Sequence, residues 1–280
     1  MLAADASPEG ELVFLKLGGS LVTDKTRALT VRTDVLLRLS SELAAALADR
    51  PGLRLVLGHG SGSFGHVLAQ RHGTRRGVHS PEDWRGYAAT ARAAAQLNRQ
   101  VVDALWDAGV HILPLQPSAS ASCRAGELTT MDERPLIAAL EHDLVPLVYG
   151  DVALDVEQGG TIVSTEQIFS WLAPRLLPQR IVLAGEVPGV FTADPAAGTG
   201  GELLPAITPA TLGQLVPALG GSRGVDVTGG MLTKVSEMVN LLRKMPASTV
   251  VQIISGLVPD LLRAVLVDPA YEAGTRIQAS

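Results

Sequence analysis

The sequence predicts an α/β fold, a mainly parallel sheet covered by helices on both faces. Three observations carry this reading. Short apolar runs recur along the 280 residues, stretches of helical periodicity separate most of them, and glycine-rich turns follow several of the runs. In such sheets ligands bind at the carboxyl ends of the strands. Hydrophobic residues make up 46% of the chain, ample for one large core. The net charge of −5 offers no basic stripe for nucleic acid, and no apolar run reaches the roughly 18 residues a membrane span needs. A lone cysteine, Cys123, excludes an internal disulfide and a cysteine-only metal cluster. Together these features point to a cytoplasmic enzyme acting on small molecules.

Met1 to Glu11 lacks the cationic and apolar regions of a signal peptide and reads as a flexible leader. Leu12 to Leu17 is a strand that runs into a first glycine turn at Gly18-Gly19-Ser20, and Asp34 to Asp49 has helical spacing. Leu53 to Leu57 is the next strand. It leads through Gly58-His59-Gly60-Ser61-Gly62 into a helix starting near Ser63. Glycines let backbone approach a phosphate, and the helix N-terminus offers unpaired N–H groups with partial positive charge. His72 to Pro81 reads as a mobile loop, Glu82 to Ala108 as a long helix closed by Gly109, and Val110 to Leu115 as a strand. A hairpin around Cys123 to Leu128 precedes a helix Asp132 to His142 and a strand Leu144 to Tyr149.

Val152 to Asp155 and Thr161 to Val163 flank Glu157-Gln158-Gly159-Gly160 as a second hairpin does, an interruption of the alternation that suits a lid or lobe edge. The alternation then resumes with helix Glu166 to Leu176 and strand Arg180 to Ala184. A Gly/Pro/Ala-rich loop from Gly185 to Gly201 follows, then a helix Pro209 to Leu219. A third glycine turn at Thr228-Gly229-Gly230 precedes a helix Met231 to Lys244. Strand Thr249 to Ile254, helix Pro259 to Leu266 and a short strand Thr275 to Ile277 end the chain. Met231 and Met238 fit a core face at helical spacing.

Of the 23 basic residues only Lys16, Lys25, Lys234 and Lys244 are lysines. Arginine is the default cation here, so each lysine asks why arginine does not serve. A compact ammonium on a flexible arm suits a moving phosphoryl group, whereas the guanidinium is a bulky planar fork. Three of the four lie in or near glycine turns, and Lys244 reads as a solvated charge near a helix end. His59 reads as a support of its turn; His72, His79, His111 and His142 show no ligand spacing.

Lys16-Leu17-Gly18-Gly19-Ser20 with Thr23-Asp24-Lys25, the Gly60-Ser61-Gly62-Ser63-Phe64-Gly65-His66 loop, Gly150-Asp151, Gly189-Val190-Phe191 and the run Asp226 to Lys234 with its Gly229-Gly230 resemble the amino acid kinase superfamily. Within it they most resemble the isopentenyl phosphate kinases; the Ser-Phe-Gly-His ending narrows the likeness to the branch those share with fosfomycin kinases. The resemblance implies a three-layer αβα sandwich in one domain, 12–280. The part to about Tyr149 binds the acceptor and the part from about Gly150 binds ATP, with Mg²⁺ held by the ATP phosphates and water rather than by protein alone. It implies ATP-dependent phosphorylation of isopentenyl phosphate, with a fosfomycin-type phosphonate kinase as the rival and a non-catalytic phosphometabolite sensor as the rival from another class. A homodimer is implied on the same ground.

Residue by residue, the resemblance places Lys16 on the transferring phosphate, with Gly18 and Gly19 giving backbone room. Lys25 lies near both the nucleotide and acceptor phosphates, and Lys234 lies on the nucleotide side with Gly189, Gly229 and Gly230. His66 binds the acceptor's phosphate, helped by Gly60, Ser61, Gly62 and Gly65, with Gly150 and Asp151 beside them. Tyr87 lines the pocket for the prenyl tail. A phosphate oxygen is already nucleophilic, so no general base is required. Two departures stand out. The carboxylate expected to orient the lysines is Glu166 in Ser164-Thr165-Glu166-Gln167, where the family has aspartate, and Gly185-Glu186-Val187-Pro188 replaces Thr-Asp-Val-Asp.

Overall fold

The structure, a computed structural model, describes residues 10–193, 201–213 and 227–279. In chain order its elements are β1 (Leu12–Leu17), α1 (Gly19–Val22), α2 (Thr33–Asp49), β2 (Arg54–His59), α3 (Gly62–His72), α4 (Pro81–Asp107), β3 (Ile112–Pro114), β4 (Ser122–Arg124), β5 (Glu127–Thr130), α5 (Arg134–Glu141) and β6 (Val145–Tyr149). The hairpin β7 (Asp151–Asp155) and β8 (Gly159–Val163) follows, then α6 (Thr165–Leu176), β9 (Arg180–Gly185), β10 (Ala206–Ile207), α7 (Val227–Leu242), β11 (Val250–Ser255), α8 (Leu261–Val267) and β12 (Thr275–Ile277).

The main sheet runs β10-β12-β11-β9-β1-β2-β6-β3, parallel except where β12 lies antiparallel to β11. A smaller sheet, β5-β4-β7-β8, sits beside it. From β1 the chain builds outward through β2 on one side and through β9 on the other. That reversal opens a crevice at the carboxyl ends of β1, β2 and β9, where doubly wound sheets bind ligands. The expected hairpins are both present and both belong to the small sheet, in which β4 pairs with β7. The pairing crosses the expected boundary at Tyr149, so the small sheet takes strands from both sides of it.

Strand parity sorts the core, because successive side chains point to opposite faces. Val13, Leu15 and Leu17 join Leu55 and Leu57 in a cluster with residues of α2, α4 and α8. Leu12, Phe14 and Val56 face the other way, into a cluster with α5, α6 and α7 that includes Met238 and has Met231 packed against it. Lys16 shares the parity of Leu12 and Phe14, which turns it toward α6. Gly58 lets α6 come close: a Cβ there would lie 2.5 Å from Thr165 Cγ2 and 2.9 Å from Phe169 Cζ. Capping boxes fix two helix starts. Ser80 accepts from Asp83 N and Ser164 from Gln167 N, each N3 side chain bonding back to the cap, an arrangement worth about 1 kcal/mol apiece.

Several expectations shift. The leader ends before Glu11, whose carboxylate accepts from Arg180 Nε at 2.6 Å and Nη2 at 2.9 Å; a buried guanidinium needs a counter-charge, and Glu11 supplies it. The first glycine turn tightens at once into α1, and the loop before α4 contains a 3₁₀ turn, Thr74–Arg76. Thr228-Gly229-Gly230, expected as a turn, lies in the first turn of α7: glycine weakens a helix by about 1 kcal/mol relative to alanine but does not forbid it. In the expected Gly185 to Gly201 loop Phe191 forms a bridge with Leu203, and residues 194–200 lie outside the described residues. The helix expected over Pro209 to Leu219 is helical over 209–213, and its remainder, like Asp226, lies outside the described residues. No helix among the described residues is long and apolar enough to cross a membrane.

Candidate active site

Four loops meet at the crevice, held by backbone contacts that few residues other than glycine permit. Gly60 N donates to Leu17 O at 3.0 Å and Gly18 N to Ala184 O at 2.8 Å, tying the loops after β2 and β9 to the end of β1. Gly62 has a φ of +48°, and a Cβ there would run into Thr23 Oγ1 and Gly19 O, so the first two glycine loops lie directly against each other. Thr23 fastens the pair: its hydroxyl donates to Gly19 O at 2.7 Å and accepts from Ser63 N at 3.0 Å. Gly150 N donates to His59 O at 3.1 Å, and a Cβ on Gly150 would stand 3.6 Å from Ser61 N. Gly65 sits in α3, where a Cβ would meet the Ser61 hydroxyl.

His59 supports this junction, as its sequence position suggests. It is fully buried, stacks on Tyr149 with ring centroids 5.5 Å apart, and has Nε2 3.1 Å from Asn98 Oδ1. Its carbonyl also accepts from Thr165 Oγ1 at 2.7 Å. Burial, opposed by its hydrogen bonds to Gly60 and Asn98 and aided by the Lys16 charge, pushes the imidazole pKa down.

Lys16 is buried, and its ammonium donates to Glu166 Oε1 in the first turn of α6. Burial pushes the Glu166 carboxyl up, but the charges of Lys16 and Lys234 and the Lys16 hydrogen bond outweigh it, and the net shift is downward. Lys234 on α7 is held below the ordinary lysine value by burial and then by Lys16, against the pull of Glu166 and Glu237. Lys16 thus pairs with Glu166 beside a helix N-terminus, which adds positive potential, and Lys234 and Glu237 lie within electrostatic range of that pair. Such a group favours a multiply charged anion.

Lys25 stands apart from this trio, two-thirds exposed, with its ammonium 3.0 Å from Glu186 Oε2. His66 is exposed in the first turns of α3. Tyr87 is half-buried on α4, its ring 5.2 Å from that of Trp84 and packed over Gly160 of the β7–β8 hairpin; burial pushes its hydroxyl pKa up to about 12. Asp151 is buried, accepting from Ser118 N at 3.1 Å and Val152 N at 2.9 Å, and burial raises its pKa against those bonds. Gly189 is buried against Thr275 and Leu203. The crevice therefore gathers Lys16, Glu166, Lys234, Gly18, Gly19, Gly60, Ser61, Gly62 and Gly150, with Lys25 reaching in from its rim. Sequence reasoning missed Arg32, whose Nη1 is 3.0 Å from Glu186 Oε1, and Asn98; neither carries a local signal. Among the described residues no group of three or more His, Cys, Asp or Glu side chains could hold a metal ion.

A family model described as the amino acid kinase family matches residues 11–255. The chain belongs to the amino acid kinase family. Among its relatives, the isopentenyl phosphate kinase of Methanothermobacter thermautotrophicus is 34% identical over 273 residues, covering 95% of this chain and 98% of that one. The Haloferax volcanii isopentenyl phosphate kinase is 38% identical over 232 residues, with 82% and 88% covered. A solved isopentenyl phosphate kinase structure superposes with a TM-score of 0.80 at 31% identity, covering 95% of this chain and all of that one. A substrate complex of such a kinase gives 0.75 at 27% identity with the same coverage. The motif resemblance and the αβα amino acid kinase fold are both borne out, and the chain is a phosphotransferase by family.

Proposed function

We propose that this chain transfers the γ-phosphoryl group of ATP to isopentenyl phosphate, giving isopentenyl diphosphate and ADP. The observation that carries the reading is the Lys16–Glu166–Lys234 trio at the carboxyl end of the sheet, set against two abutting glycine loops. Phosphoryl transfer spreads negative charge over the transferring group, so a protein catalyses it chiefly by alignment and neutralisation. Lys16 meets the transferring phosphate, with Glu166 setting its direction, and Lys234 sits on the nucleotide side with Gly189, Gly229 and Gly230. The acceptor's phosphate lies at Gly60 to Gly62 and His66, in front of Gly150 and Asp151, and its tail runs toward Tyr87. Lys25 offsets the repulsion between the two phosphates. The lysine-rich donor set suits phosphate rather than a bare cation, and Mg²⁺ enters with the ATP phosphates. The relatives named isopentenyl phosphate kinase support the choice of acceptor. We further propose a homodimer, which light scattering at micromolar concentration tests; a monomer there removes it.

The acceptor is tested by ADP release with ATP and isopentenyl phosphate, dimethylallyl phosphate or fosfomycin, on wild type and on His66→Ala and His66→Gln. His66→Ala should weaken both prenyl phosphates by about 1.5–3 kcal/mol, the worth of a hydrogen bond to a charged group, and His66→Gln should fall between. Shortening the tail should cost about 0.8 kcal/mol per buried methylene and leave the His66 effect unchanged. A strong preference for the phosphonate overturns the acceptor and spares the fold.

A further inference from the structure

The loop that carries Lys25 is well fixed at its base and bare at its tip. Thr23 and Val31 form a bridge, Arg32 N donates to Val22 O at 2.9 Å and Asp24 N to Thr30 O at 2.9 Å. Asp24 is occupied within the loop, accepting from Thr26 N at 2.8 Å and Thr26 Oγ1 at 2.7 Å. The ion partner of Lys25 comes from the far side of the crevice, where Glu186 follows β9. Glu186 gives one oxygen to each end of the loop: Oε2 lies 3.0 Å from Lys25 Nζ and Oε1 lies 3.0 Å from Arg32 Nη1.

An exposed ion pair alone is worth about 0–1 kcal/mol and defines a lysine poorly. Glu186 is better placed than that. Its carbonyl accepts from Ser255 Oγ at 3.3 Å, and Gly256 N donates to Gly185 O at 2.8 Å, so its backbone is braced by β11. The partly buried Arg32 guanidinium then restricts its carboxylate before Lys25 arrives. The carboxylate becomes a fixed post against which a long, flexible ammonium is set, on the side of the crevice opposite the β2 loop.

We propose that Glu186 is a positioning residue: bridged to Arg32, it aims Lys25 at the phosphates across the crevice and acts on turnover through Lys25 alone. The inference rests on the role given to Lys25 in the proposed reaction. Angstrom-scale misplacement of a catalytic group costs up to about 10²-fold in rate, and a group that acts only through another loses its effect once that other is gone.

The experiment is a double-mutant cycle with ATP and isopentenyl phosphate, measuring kcat and both KM values for wild type, Glu186→Gln, Lys25→Ala and the double variant, with thermal melting of each. Glu186→Gln should lower kcat by roughly 10- to 10²-fold with little change in either KM, and should add nothing in the Lys25→Ala background. Arg32→Gln, which frees the carboxylate, should lower kcat less and be equally silent without Lys25; it replaces Glu186→Gln in the cycle if that variant does not fold. A Glu186→Gln loss that persists in full beside Lys25→Ala overturns the inference, and so does wild-type turnover in Glu186→Gln while Lys25→Ala is impaired. Wild-type turnover in Lys25→Ala overturns the role of Lys25 itself, and the inference with it.

Discussion

At both ends of its central strands the molecule sets cations against carboxylates, and the two groups have opposite surroundings. At the amino end Glu11 accepts from Arg180 and Arg50. Arg180 also donates to Val265 O at 2.5 Å and Leu266 O at 3.2 Å, and Arg50 to Leu266 O at 3.1 Å. Those carbonyls belong to the last turn of α8, the negative end of a helix, which absorbs the surplus positive charge. At the carboxyl end Lys16 pairs with Glu166 in the first turn of α6, the positive end of a helix, with Lys234 and Glu237 in electrostatic range, and the helix end adds to the positive potential there. Ion pairs of the same kind make a closed structural joint in one place and, in the proposed reaction, an anion site in the other. Which helix end is supplied decides between them.

The largest expected effect lies at the amino end. Arg180→Ala strips Val265 O of its arginine and leaves Glu11 and Leu266 O to Arg50 alone, and should cost about 3–5 kcal/mol of stability, read by denaturant unfolding, while the folded fraction turns over ATP and isopentenyl phosphate at close to the wild-type rate. Comparable loss of turnover in the folded protein would erase the distinction between the two groups.

At the carboxyl end the order reverses. Lys16→Ala should lower kcat by on the order of 10²–10³-fold, since it removes a preorganised charge that acts in the transition state, and should destabilise less than Arg180→Ala because Glu166 keeps Lys234 nearby. Lys16→Arg should not rescue, because a planar fork cannot occupy the point of a compact ammonium. Near-normal turnover in Lys16→Ala removes it from the reaction.

The contrast also explains what could be read from the sequence. The strands, the glycine loops and the lysines are local signals: Leu12 to Leu17 is apolar at every position except Lys16, and Gly58 to Gly62 stands between a strand and a helix. A strand with one buried lysine two residues before its glycine pair already points to a charge held at a strand end. The partners are not local. Glu11 reads as part of a leader because its guanidinium partners lie just past α2 and on β9, and Glu186 reads as a lengthened aspartate because nothing near it in sequence shows Lys25 and Arg32 across the crevice. Gly229 and Gly230 read as a turn because a glycine pair is a local signal of low helix propensity, and the helix runs through them all the same. The two-residue β10 is too short to leave a periodic signal.

The electrostatics of the carboxyl end are open to direct measurement, because the chain has four lysines and hence four side-chain ammonium environments. Nuclear magnetic resonance titration of lysines labelled at Cε and Nζ, assigned by single substitutions, would follow Lys234 in the free protein and with ATP bound. Burial and the Lys16 charge hold its pKa below the ordinary lysine value in the free protein, with Glu166 opposing them. Glu166→Gln should therefore lower it further, and ATP, which brings negative charge to the group, should raise it. An ordinary value in the free protein, or a Lys234 unmoved by ATP, would contradict the claim that this end of the sheet holds positive potential for phosphate.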